Sequence, residues 1–195
     1  MAISTDIVKR LRELTGSSIL LCKKVLEETG GDMDKAMSLL KKSSEALAVK
    51  KSDRTAGAGM VDCYIHGNKK VGVLLELKCE TDFVARNEEF QKLAHDIALH
   101  IAGIKPLYVS QNHISEEARE EARRLFSEEA GSLGKSAEMT KKILAGKLEA
   151  HFRDVSLLSQ PFVKDPAVTI EELIQRAIAH FGEKIEVARF TRYEL

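Results

Sequence analysis

The sequence has no excess of charge of either sign, because 30 lysine and arginine residues are matched by 30 aspartate and glutamate residues. A chain without net charge creates no overall field that would attract nucleic acid or an anionic membrane. Long apolar runs are also missing, since no stretch approaches the roughly 18 uninterrupted apolar residues that a membrane-spanning helix requires. Any partner must therefore be recognised locally, and we expect binding neither to nucleic acid nor to a membrane.

Cysteine is scarce, and the start of the chain lacks a secretory pattern. Cys22, Cys63 and Cys79 make an odd number without the paired spacing of a metal site. They are typical of a protein in a reducing compartment, so we expect no structural disulfide and no zinc site. The opening stretch MAISTDIVKRL has no basic segment followed by an apolar one. These features predict a cytoplasmic protein.

Sequence signatures of catalysis are missing as well. The stretch GSLGKS (131–136) resembles a phosphate-binding loop, but Glu129 stands where the first glycine of that loop belongs. His95 and His100 are five residues apart, a spacing that places them on different faces of one helix. No serine lies in a G-x-S-x-G elbow. We therefore expect no catalytic residue, no cofactor and no metal site, and a protein that is not an enzyme.

The first fifty residues predict a compact run of three helices. Gly16 interrupts the first apolar pattern, and Ser17 or Ser18 can cap the second helix. Gly30 and Gly31 end the second helix, and Asp32 is well placed to cap the third. The small and charged stretch KKSDRTAGAGM (50–60) indicates a linker. We place a domain boundary there, giving a helical module with its linker at 1–54 and a second domain at 55–195.

The second region predicts an antiparallel sheet covered by helices. The stretch GMVDCYIHGNKKVGVLLELKC (59–79) has the alternation of a β-hairpin, with a two-residue turn at Gly67 and Asn68. Helices are predicted from about Phe90 to Gly103 and over 115–130, 137–152 and 169–180, with a proline-bounded loop, LLSQPFVKDP, before the last of them. The final stretch KIEVARFTRYEL (184–195) alternates again and can return to the hairpin as a third strand. The fold class is therefore α+β.

The second predicted helix has an apolar residue, Leu20, on the side opposite its apolar stripe. At 100° per residue, Ile19, Cys22, Val25 and Leu26 share one side of the helix and Leu20 points nearly opposite. An isolated exposed leucine is ordinary in soluble proteins. Beside Ile19, and with Arg12 on the preceding helix, it also has the composition of a protein-docking surface.

Phe83 is the second unusual residue. If Thr81 or Asp82 caps the following helix, Phe83 lies in its first turn, whereas a cap at Asn87 leaves Phe83 in the loop before it. Extending the buried stripe backward by helical spacing would instead place Phe83 over the core. Periodicity alone does not decide between core packing and exposure.

Three stretches resemble recurrent motifs of one known family. They are LRELTGSSILLCKKVL (11–26), ELKCETDFVARNEEF (76–90) and LLSQPFVKDP (157–166), and their order and separation resemble those of the bacterial elongation factor Ts family. The resemblance implies an N-terminal ubiquitin-associated-like helical module followed by a core of antiparallel sheet and helices. It also implies a function, guanine nucleotide exchange on elongation factor Tu.

The resemblance assigns roles to particular residues. Asp82 and Phe83 match the residues that intrude on the partner, where the phenylalanine wedges between two helices and disturbs the support of the magnesium site. The other members of this element are Thr81, Val84 and Ala85. Arg12, Ile19 and Leu20 match positions of the N-terminal module that contact the same partner domain, and a further partner domain is expected to touch the core.

The chain departs from the family pattern in places. Leu21 stands where the family often has an acidic or polar residue, and Lys78 stands where the family often has an asparagine. Longer members carry a second core subdomain and a protruding coiled coil, for which 195 residues leave no full room. As in short members, a homodimer can supply the missing half, with Ile185 to Phe190 as an expected interface. Two other readings are a non-exchanging interaction module and a nucleotide-hydrolysing enzyme based on GSLGKS.

Overall fold

A computed structural model describes residues 3–195, which form two compact units. The first unit contains the described residues up to Leu99 together with Glu171–Leu195, and the second contains His100–Ile170. The helices are α1 (Thr5–Thr15), α2 (Ile19–Glu28), α3 (Met33–Lys51), α4 (Asp82–Ala85), α5 (Glu88–Ile104), α6 (Glu116–Gly131), α7 (Ala137–Asp154) and α8 (Ile170–Phe181). The strands are β1 (Ala58–Ile65), β2 (Val71–Cys79), β3 (Pro161–Phe162), β4 (Asp165–Thr169) and β5 (Glu186–Glu194).

The first three helices have the caps that their sequence predicts. Ser18 caps α2 by accepting a hydrogen bond from the backbone N–H of Leu21, and Asp32 caps α3 through the N–H of Lys35. Gly16 ends α1 at a φ of 67°, a left-handed conformation that costs glycine little. Each helix turns its apolar face inward, and the shared core includes Leu11, Leu26 and Leu40. The predicted three-helix arrangement is confirmed.

Strands β1, β2 and β5 form one antiparallel sheet with β2 in the centre. The predicted third strand is therefore confirmed. The hairpin turn is longer than predicted, because Ile65 pairs with Gly72 and His66 donates its N–H to the carbonyl of Val71. Gly67 and Asn68 do occupy the centre of a turn, but Lys69 then adopts a φ of 58°, and this extra step lengthens the loop to four residues.

The two faces of the sheet differ in burial. On β2, Val73, Leu75, Leu77 and Cys79 are buried, whereas Leu74 between them is exposed. This alternation follows from the two-residue period of a strand. Helix α5 buries the predicted apolar stripe, which includes Phe90, and the Phe90 ring packs edge-on against Phe181 of α8.

In the second unit, α6 and α7 pack as an antiparallel pair. Arg119 near the start of α6 lies over the Phe152 ring near the end of α7, and Glu129 forms an ion pair with Lys147. The stretch expected to be only a loop contains β3, which pairs with β4 as a short hairpin. The sequence hides this hairpin because β3 has only two residues, one of which is proline. Among the described residues, no helix is both long and apolar enough to cross a membrane.

Candidate partner-binding site

The connection between β2 and α5 contains two successive helix caps. The Thr81 side chain accepts a hydrogen bond from the N–H of Val84 at 3.5 Å and caps the four-residue helix α4. Asn87 then accepts the N–H of Glu89 at 2.8 Å at the start of α5. Both positions that the sequence offered as a cap are used, so Phe83 lies in the first turn of a short separate helix.

Phe83 points away from the body of the protein. Its side chain is 83% exposed, although Val84 and Ala85 beside it are buried. The structure thus decides against packing of Phe83 over the core. Burial of Val84 and Ala85 leaves little of either side chain for a partner to contact. Asp82 and Thr81 are exposed next to Phe83, and Asp82, Phe83, Arg86 and Asn87 line one shallow depression of the surface.

A carboxylate from a distant part of the chain binds this connection. One oxygen of Glu183 accepts the backbone N–H groups of Glu80 and Thr81, at 3.1 and 3.0 Å. Its other oxygen accepts the Thr81 hydroxyl at 2.6 Å. No sequence pattern had indicated Glu183 as a functional residue. The glycine before it, Gly182, was a visible signal of a helix end, but nothing local indicates a partner about a hundred residues earlier.

Glu80 in turn binds the segment that carries Glu183. Its carboxylate accepts the backbone N–H of Lys184 at 2.6 Å and lies 3.3 Å from the guanidinium of Arg54. The Lys184 hydrogen bond, with the charges of Arg54 and Lys51, lowers the pKa of Glu80. Glu80 is therefore ionised near neutral pH. The amine of Lys51, at the end of α3, donates to the carbonyl of Gly182 at 2.5 Å.

The buried Cys79 thiol also forms a hydrogen bond to the connection between β2 and α5. Burial raises its pKa, with further upward contributions from the charges of Glu183 and Asp82. The thiol stays protonated near neutral pH and donates to the carbonyl of Thr81 at 3.2 Å. Cys79 is thus a structural hydrogen-bond donor with none of the character of a reactive thiolate.

The N-terminal module presents the other predicted contact residues. Leu20 is 81% exposed, as its position on the helix predicts, and Arg12 is exposed. Ile19 shares the side of α2 that carries the buried Cys22, yet it is 53% exposed, because it is the first residue of α2, where the helix leaves its core. All three predicted residues are accessible.

One histidine connects the α1–α2 turn to the start of α5. The His180 ring lies 3.0 Å from the carbonyl of Gly16 through Nδ1 and 2.8 Å from the carboxylate of Glu89 through Nε2. Lys41 of α3 also forms an ion pair with Glu172 of α8, at 2.5 Å. These polar contacts join the N-terminal helices to the elements that flank Phe83.

The remaining chemical candidates have ordinary structural surroundings. Ser136 of the GSLGKS stretch caps α7 by accepting the N–H of Met139, and the stretch follows a helix where a phosphate-binding loop would follow a strand. His95 lies 3.3 Å from Asp62, whereas His100 is buried and bonded to Gln160. Within residues 3–195, no three histidine, cysteine or acidic side chains form a group that could hold a metal ion.

Comparisons with known proteins agree with these features. A family model described as Elongation factor TS matches residues 17–195. The chain is 47% identical over 195 residues to elongation factor Ts of Coprothermobacter proteolyticus, covering 100% of this chain and 99% of that protein. It is 46% identical to elongation factor Ts of Thermotoga petrophila, with 100% and 97% covered, and 45% identical to that of Carboxydothermus hydrogenoformans, with 99% and 89% covered. The chain therefore belongs to the elongation factor Ts family.

Proposed function

We propose that this protein promotes the release of GDP from elongation factor Tu during translation elongation in the cytoplasm. The observation that carries the proposal is the exposed Phe83, held on a capped helical turn. Large aromatic side chains are enriched among the residues that contribute most to protein–protein binding, and this one lies on a turn that hydrogen bonds hold in place. Membership of the elongation factor Ts family supports elongation factor Tu as the partner.

Exchange by this route needs differential binding and no chemical step. A nucleotide that is held through its phosphates and Mg²⁺ leaves slowly. A protein that prefers the nucleotide-free conformation of elongation factor Tu must, by thermodynamic reciprocity, weaken nucleotide binding by the same factor. Phe83 supplies this preference if its pocket between two partner helices opens only when the magnesium site is disturbed.

The residues next to Phe83 and those of the N-terminal module have separate roles in the proposed exchange. Asp82 is exposed beside Phe83 and acts through its charge near the disturbed metal site. Thr81 caps the turn, and the buried Val84 and Ala85 attach it to the core. Arg12, Ile19 and Leu20 form the second contact, in which apolar side chains beside a guanidinium dock the N-terminal module on the nucleotide domain.

The test is the release of fluorescent GDP from elongation factor Tu with and without this protein. We expect faster release in its presence, and a direct titration of this protein with labelled nucleotide should show no binding of its own. Binding to elongation factor Tu without acceleration would contradict exchange and favour a non-exchanging interaction module. Tight nucleotide binding by this chain would instead favour the nucleotide-hydrolysing reading.

We also propose that the protein acts as a homodimer joined through the outer face of its sheet. Val61, Ile65, Leu74 and Tyr193 are exposed there on three neighbouring strands, and an apolar face of this kind is typical of an interface between copies. Within the interface expected from the sequence, Ile185 to Phe190, Ile185 and Val187 are buried in their own chain, so the proposed contact uses the exposed residues of the outer face. Light scattering at working concentration should give twice the monomer mass, and a monomeric mass would contradict the dimer.

A further inference from the structure

Glu183 has an unusual position for a carboxylate on a surface turn. Its two oxygens accept three hydrogen bonds, all from Glu80 and Thr81, and none of these residues is near it in the sequence. An ionised acceptor makes stronger hydrogen bonds than a neutral one. The two residues that it holds immediately precede Asp82 and Phe83.

The Thr81 hydroxyl connects Glu183 to the cap of α4. A hydroxyl has one proton to donate, and Thr81 donates it to Glu183 at 2.6 Å. The hydroxyl oxygen is then oriented to accept the N–H of Val84, the bond that caps α4. Glu183 and the N–H of Val84 thus bind the same hydroxyl, at the start of the helical turn that carries Phe83.

The turn that carries Glu183 is itself fixed to the N-terminal helices. Lys51 of α3 is buried and donates to the carbonyl of Gly182. On the other side of Glu183, Lys184 donates its N–H to the carboxylate of Glu80. The end of α3 and the start of α4 are thus attached to the same three residues, 182–184.

We propose that Glu183 is a positioning residue for nucleotide exchange. It holds the Thr81–Phe83 segment in the conformation in which Phe83 enters the partner, at a fixed place relative to the N-terminal contact residues. This role rests on the proposed exchange function and adds to it a residue that acts through the Thr81–Phe83 segment. Without Glu183, Phe83 is still present and exposed, but the partner must order its turn at the moment of insertion.

The expected result is a selective loss in the maximal rate. In Glu183→Ala, stimulated GDP release at saturation should fall roughly 10- to 100-fold, the range typical when a functional group loses its fixed position. The concentration for half-saturation should change little, because the N-terminal contact is intact. Glu171→Ala, which removes an exposed glutamate at the start of α8, is the matched control and should leave both values unchanged.

A double-mutant cycle with Phe83→Ala separates positioning from general damage. If Glu183 acts through Phe83, Glu183→Ala has little further effect once Phe83 is removed, so the two losses are not additive. Additive losses, or a Glu183→Ala variant with the wild-type maximal rate, would overturn the proposal. Thr81→Val removes the hydroxyl while preserving the side-chain shape, and a smaller loss of the same kind is expected even if Glu183→Ala folds poorly.

Amide hydrogen exchange gives a readout that does not depend on elongation factor Tu. The amides of Val84 and Ala85 should exchange faster in Glu183→Ala than in the wild type, while amides in the centre of α3 are unchanged. Unchanged protection at Val84 would overturn the positioning role. If the wild-type protein fails to accelerate GDP release, the proposed function fails, and the hydrogen-exchange result still decides whether Glu183 orders the turn.

Discussion

The substitution Phe83→Ala tests whether Phe83 binds the partner or stabilises the fold. Because the Phe83 side chain is 83% exposed, its removal should change the free energy of unfolding by no more than about 0.5 kcal/mol. In the complex, burial of a phenylalanine contributes roughly 1.5 to 3 kcal/mol. If that contribution is made only when the partner opens, it acts on the barrier to GDP release, and the conversion of about 1.4 kcal/mol per tenfold gives a roughly 10- to 150-fold slower rate.

Stopped-flow release of fluorescent GDP, measured over a series of concentrations of this protein, resolves the maximal rate from docking. We expect the maximal rate of Phe83→Ala to fall much more than its affinity. Phe90→Ala is a control of the same residue type at the start of α5. Phe90 is fully buried, so the substitution should destabilise the fold by about 3 to 5 kcal/mol. Near wild-type exchange by Phe83→Ala, or equal losses in rate and affinity, would refute the wedge role.

Three further predictions concern other parts of the chain. Gly59→Ala should lower the free energy of unfolding by about 2 kcal/mol or more, because a Cβ there would lie 2.3 Å from the carbonyl oxygen of Leu77. The melting temperature should fall strongly, and a wild-type melting curve would contradict this. Leu20→Ser should leave stability unchanged but raise the half-saturating concentration roughly tenfold at the same maximal rate, in the same stopped-flow assay. Burial lowers the pKa of His100 below its ordinary value of 6.5, and its neutral Nδ1 accepts the N–H of Val163. Its stabilising contribution is complete above pH 6.5 and is lost as the pH falls from there through the lowered pKa, by at most about 1.4 kcal/mol per pH unit. Unfolding measured from pH 7.5 to 5 should be steeper for the wild type than for His100→Gln, and parallel curves would count against the effect.

The helices and the sheet follow from short-range patterns. Leu20 and Leu26 are both leucines on α2, yet one is 81% exposed and the other fully buried, as the helical period predicts. The outward Leu74 and inward Leu75 follow from the two-residue period of β2 in the same way. Periodicity takes no account of where a helix end leaves the core, which is why Ile19 is 53% exposed on the same side of α2 as the buried Cys22.

Such patterns could not predict whether Phe83 is buried or exposed. Helical spacing allowed core packing and exposure, and two cap residues competed for the start of the helix. The structure uses both caps, through Thr81 and Asn87, so Phe83 belongs to the separate helix α4, whose phase the spacing of α5 does not set, and its side chain is exposed. A family resemblance pointed to the same residue, but it carried no information about how the residue is held.

By itself, the sequence predicted the three-helix module and the antiparallel sheet, and its motifs indicated the family and, through the resemblance, the candidate contact residues. These features depend on periodicity, caps and motifs that lie within a few turns of chain. Only the tertiary structure decided that Phe83 is exposed and that Glu183 holds the turn beside it. A hydrogen bond between residues 81 and 183 leaves no local pattern, because a single glutamate after a glycine has many possible partners until the fold brings one of them within 3 Å.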